Sequence, residues 1–138
     1  MVHHPNTIKG LHAQRDQNSM RSADLGGKHL SSKSTKVLET LKPFGDRVAK
    51  WFDDRKITQN GTLEGQMKKL EEEFNELREA LTGDDSDAIS DAIGDMAVVL
   101  AGIAHMEDMR FEDCQDHAWN EIKDRTGHLN EEGIFVKD

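Results

Sequence analysis

The chemistry this sequence can do is concentrated in two short acidic stretches. KLEEEFNEL (69–77) holds Glu71, Glu72, Glu73 and Glu76. On a helix, Glu72 and Glu76 stand at i,i+4 and Glu73 and Glu76 at i,i+3, so both pairs share a face. Like charges at that spacing destabilise a bare helix by a few tenths of a kcal/mol per pair, and a divalent cation would offset the cost. DAIGDMAVVL (91–100) holds Asp91 and Asp95, again at i,i+4. That stretch reads as buried, where an ionised carboxylate costs several kcal/mol unless it is paired or binds a metal. Gly94, beside Asp95, would let a helix or ligand approach closely. Two antiparallel helices joined by a short loop would bring the acidic faces together around one point. An all-oxygen donor set suits magnesium or manganese better than zinc. Such an ion keeps positions for water and phosphate oxygens, and can activate water for attack on phosphorus. Taken singly, a glutamate run is more often a solvated face and an aspartate pair a salt-bridge partner. The specificity lies in finding both at helical spacing on consecutive helices.

Basic groups come last in the chain. WNEIKDR (119–125) carries Asn120, Lys123 and Arg125. The two cations could hold phosphates and stabilise developing charge. They could equally complement the negative end of a helix dipole.

The elements that must position these groups are helices. Periodicity starts near Ser32–Ser34 and runs through Val37, Leu38 and Leu41 to Pro43, which kinks or restarts the helix. Phe44, Val48, Trp51 and Phe52 continue it, and KITQNGT (56–62) breaks it. Thr62 is placed to cap the next helix. Its stripe of Met67, Leu70, Phe74, Leu77 and Leu81 has the 3,4 spacing of a bundle seam. Gly83-Asp84-Asp85-Ser86 ends that helix and caps another, containing Ile89, Ile93, Met96, Val99, Leu100 and Ile103, which reads as the buried centre. Phe111, Cys114, Ala118, Trp119 and Ile122 mark a last helix, followed by a short β-prone triplet, Ile134-Phe135-Val136. The expected fold is all-α, an antiparallel four-helix-type bundle. Residues 34–138 form its domain, and residues 1–33 a flexible N-terminal arm.

Bulk properties narrow the partners. The 138 residues fit one domain, with 35% apolar and 33% charged residues. So thin a core favours completion by another copy. The net charge is −9; residues 1–34 carry five basic and two acidic residues, a net +3, leaving −12 for the remainder. An acidic body argues against nucleic acid as the main partner. With one cysteine, Cys114, no internal disulfide can form. No unbroken run of 18 apolar residues occurs, so neither a membrane span nor a signal peptide is expected, and a cytoplasmic location is. The spacing of His3, His4, His12 and His29 fits no standard metal pattern. Trp51 and Phe52 read as core or interface residues before base-stacking ones. A di-iron bundle needs Glu-x-x-His motifs; the positions three before His105, His117 and His128 are Gly102, Cys114 and Arg125. A non-catalytic helical oligomer or interaction protein with a retained acidic face is the alternative to an enzyme.

From residue 45 onward, the sequence resembles the MazG-like family of all-α nucleoside triphosphate pyrophosphohydrolases, in particular its small virus-type members. The family's EExxE is matched by Glu72, Glu73 and Glu76, and the aspartate of its ExxD by Asp95; AWNEIKDRTGHL…GIFVKD is similar to its C-terminal segment. The first 34 residues have no counterpart. The ExxD glutamate falls on Ala92, which cannot bind a metal, and Asp91 is one residue earlier. The resemblance implies magnesium, with manganese as substitute, held by Glu72, Glu73, Glu76 and Asp95, with Asp91 added. It implies Glu72 and Glu73 as catalytic residues, one of them a general base for the attacking water. Lys123 and Arg125 would hold phosphates and Asn120 the nucleotide. The implied substrate is a nucleoside or deoxynucleoside triphosphate, cut to monophosphate and pyrophosphate, by a homodimer or homotetramer in the cytoplasm (the host's, for a viral protein).

Overall fold

The structure is a computed structural model that describes residues 32–138. The expected arm and its histidines lie outside the described residues, save its last two. Six helices and one small hairpin follow: α1 (Ser32–Leu41), α2 (Phe44–Asp54), α3 (Ile57–Asn60), α4 (Leu63–Thr82), α5 (Ser86–Met106), α6 (Phe111–Ile122), β1 (Gly127–Leu129) and β2 (Phe135–Lys137). The strands pair antiparallel, with Gly127 opposite Lys137 and Leu129 opposite Phe135.

Local chemistry sets the boundaries. Pro43 separates α1 from α2, and its carbonyl accepts from the Asp46 and Arg47 amides, so the helix restarts there. After Lys56 (φ 62°) a single turn, α3, occupies part of the expected break. Thr62 caps α4, its Oγ1 accepting from the Gly65 amide at 3.0 Å. Asp85 caps α5, taking the Asp87 and Ala88 amides at 3.0 and 3.2 Å. The turn between α4 and α5 is thus only three residues long, which forces a helical hairpin.

Packing is most extensive between α4 and α5; α2 lies across α5, and α6 packs against both. The core is Val48, Phe52 and Ala101, flanked by Phe44, Ile57, Val98, Met106 and Phe111. Gly102 lets α2 come this close to α5, because a Cβ there would overlap the Phe52 ring. The close approach expected at Gly94 is absent: among the described residues nothing lies within 4 Å of a Cβ built there.

Two sequence expectations need correction. First, α5 is not buried all round: Ala92, Val99, Ala101, Gly102 and Ala104 are buried, but Ile93 is 55% and Leu100 43% exposed. Second, the α4 stripe is not a closed seam. Glu73 and Ala80 are the residues α4 buries, while Met67 is 57%, Phe74 46% and Leu81 61% exposed. Helix α4 is rotated so that the edge of its apolar stripe faces α5 and the rest faces outward. By length and composition α5 could cross a membrane, with a mean hydropathy of 1.4 over 18 residues. Its mid-helix Asp91 and Asp95, and the packing of α4 and α2 along it, make it the central helix of the fold.

Candidate metal centre

The rotation of α4 that exposes its apolar stripe places Glu73 against α5. Glu73 is 5% exposed, the one buried charged residue among those described. One turn on, Glu76 sits at the edge of the same interface, and Asp95 reaches it from α5. Carboxylate oxygens of Glu73, Glu76 and Asp95 lie within 4.8 Å of one another.

Two features show that the trio is electrostatically incomplete. Glu73 Oε1 receives Lys69 Nζ at 3.1 Å, but Glu73 Oε2 is buried and has no hydrogen-bond donor while the neighbouring acids are ionised. An unpaired buried oxygen of a charged group costs more than a lost neutral hydrogen bond. The neighbouring acids are also pushed off their ordinary values. Glu76 is raised above 4.5 by a hydrogen bond with Glu73, which needs a shared proton, and then by the Glu73 charge. Asp95 is raised above 3.8, first by the loss of water beside α4, then by the charges of Glu73 and Asp91. Three acids this close resist full ionisation. A divalent cation among them would offset the repulsion.

Glu76 and Asp95, with Glu73 buried behind them, line a cleft of about 600 Å³ whose wall also includes Glu79, Asp85, Asp91 and Ala92. That volume suits a small ligand, and its acidic lining suits a cation-carried one.

Glu73, Glu76 and Asp95 are thus brought together as the spacing suggested. Asp91 is not in the trio; it is exposed and lines the shared cleft. Glu72 is also outside it, exposed and paired with Lys69 at 3.3 Å. Ala92, where the resemblance leads us to expect a glutamate, is 3% exposed and lines the cleft but offers no ligand. Asn120, Lys123 and Arg125 are exposed at the end of α6 and beyond, away from the cleft lining; Arg125 reaches Glu121 at 4.0 Å. Trp51 is 44% exposed, with the Arg55 guanidinium 4.4 Å above its ring, whereas Phe52 is core. Sequence reasoning missed Lys69, although it precedes Glu73 by four residues, and missed Glu79 and Asp85 in the cleft wall.

Comparison with known proteins adds little chemistry. No protein-family model matches the chain, and no solved structure does. A 64-residue stretch, 46% of the chain, is 37% identical to a Haemophilus phage HP1 protein described as an uncharacterized 18.2 kDa protein of the rep-hol intergenic region. The alignment spans 39% of that protein's length.

Proposed function

We propose that the chain is a magnesium-dependent pyrophosphohydrolase that cuts a nucleoside or deoxynucleoside triphosphate into the monophosphate and pyrophosphate. The observation that carries this reading is the trio of Glu73, Glu76 and Asp95 with a buried, unpartnered Glu73 oxygen, set at the edge of a ligand-sized cleft. All-oxygen donors with an open side fit magnesium, with manganese as substitute. When bound, the ion would screen the triphosphate charge and supply an activated water. Glu73, Glu76 and Asp95 would hold it, with Asp91 supporting it from the cleft wall. Glu72, beside the trio but not in it, would be the general base for that water.

The cations needed for the phosphates are supplied by assembly. Within one chain Asn120, Lys123 and Arg125 do not line the cleft. The apolar face formed by Met67, Phe74, Leu81, Ile93 and Leu100 is exposed, and patches of that kind are seldom left bare. A second copy laying its own α4–α5 hairpin there closes a four-helix bundle, and the α6 cations of a neighbouring copy approach the cleft. The active species is then a homodimer or homotetramer, in the cytoplasm. A non-catalytic oligomer is the second reading, favoured by Ala92 at a ligand position.

Incubation of the purified chain with magnesium and a panel of NTPs and dNTPs, followed by anion-exchange separation, tests the proposal. Monophosphate and pyrophosphate, lost on adding chelator, support it. No turnover with magnesium or manganese would favour the non-catalytic reading.

A further inference from the structure

The acidic trio already holds one positive charge. Lys69 Nζ lies 3.1 Å from Glu73 Oε1 and 3.3 Å from Glu72 Oε2. Its charge also reaches Glu76 and Asp95, opposing the upward push on both carboxyls. This is not an ordinary surface pair such as Lys68 with Glu64, at 3.9 Å with both side chains more than 70% exposed. The Glu73 side chain is 7% exposed, and Lys69 partners only one of its two oxygens; the other has no donor while the neighbouring acids are ionised. One ammonium is thus shared between the Glu72 and Glu73 carboxylates, beside the two further acids Glu76 and Asp95. The Lys69 side chain is itself 51% exposed on a flexible four-carbon stem, so it can swing aside without moving the backbone.

We propose that Lys69 is a built-in counter-cation of the trio, which neutralises it while the divalent ion is absent and gives way when that ion binds. The inference rests on reading Glu73, Glu76 and Asp95 as a metal centre. Lys69 acts through Glu73 and is a positioning residue: it holds the carboxylate aimed at its neighbours before the ion arrives. Because lysine and ion draw on the same negative charge, each weakens the other's hold.

The test is manganese binding to the full chain, followed by calorimetry, for wild type, Lys69→Met, Lys69→Gln and Lys69→Arg, with melting temperatures with and without the ion. The expected result is about three- to tenfold tighter manganese binding by the Met and Gln variants, the scale of removing one charge near a divalent ion, with Lys69→Arg close to wild type. The Met and Gln variants melt lower than wild type without metal and gain more on adding it. A merely structural pair would lower the melting temperature and leave manganese affinity unchanged. Equal or weaker manganese binding by the Met and Gln variants overturns the inference alone. Binding by these variants but not by wild type supports it, with the lysine as a block. No binding by any of them overturns both the inference and the metal-centre reading.

Discussion

At the residue scale the centre turns on Glu73. Its burial beside α5 leaves one oxygen without a donor while its neighbours are ionised, and the carboxyls of Glu76 and Asp95 are pushed up beside it. Replacing the charge while keeping the shape should therefore separate binding from folding. Glu73→Gln is predicted to weaken manganese binding by at least about tenfold without lowering the melting temperature of the metal-free chain, read by calorimetry and thermal unfolding. Ligand ranking follows from position. Asp95→Asn should cost turnover on the order of a hundredfold, and Asp91→Asn, in the cleft wall, about tenfold, both read from steady-state rates. Charge at these sites also sets a pH dependence. Glu76 and Asp95 have folded values above their unfolded ones, 4.5 and 3.8, so their ionised forms destabilise the metal-free fold. As pH falls through their folded values towards 4.5 and 3.8, that penalty is relieved. Asp53 works the other way: lowered below 3.8 by Thr58 Oγ1 and His105 Nε2, it contributes stability that is lost as pH falls through its folded value. Metal-free protein should thus melt higher near about pH 5 than near about pH 7, and added magnesium should reverse the order. Thermal unfolding at the two pH values, with and without magnesium, checks it.

At the element scale, the two halves of the site and their helices were legible, because i,i+3 and i,i+4 spacing fixes which residues share a face whatever packs against it. Caps were legible for the same local reason: Thr62 and Asp85 bond amides two or three residues away. Rotation about the helix axis was not. The sequence marks where the apolar stripe of α4 lies but not which edge of it meets α5, and that choice buries Glu73 and exposes Phe74. The same limit explains Asp95, expected deep in an apolar helix but placed at the open edge of the hairpin, and the exposed Ile93. Nor could spacing tell which glycine a neighbour would crowd. Gly102, not Gly94, is the crowded one, since α2 crosses α5 in its C-terminal half. Gly102→Ala should cost about 1–3 kcal/mol by forcing Phe52 aside, several degrees in melting temperature, while Gly94→Ala should not destabilise.

At the scale of the whole molecule, the single chain leaves too much apolar surface uncovered for its small core. Besides the α4–α5 face, Trp119 is 59% and Ile122 50% exposed on α6. Composition foreshadowed this, since a third of the residues are charged, but not which faces would be bare. Under the assembly proposed above, Met67→Glu with Phe74→Glu should shift the mass measured by light scattering towards the monomer. It should lower turnover by more than about tenfold, because phosphate-holding cations would no longer reach the cleft, and leave manganese binding intact. The central claim, a metal-dependent cut within a triphosphate, is tested most directly by phosphorus NMR of a nucleotide mixture with magnesium and the purified chain. Signals of monophosphate and pyrophosphate should grow together, and both should be absent with chelator and with Glu73→Gln. Inorganic phosphate with nucleoside diphosphate, or no change at all, would contradict the claim.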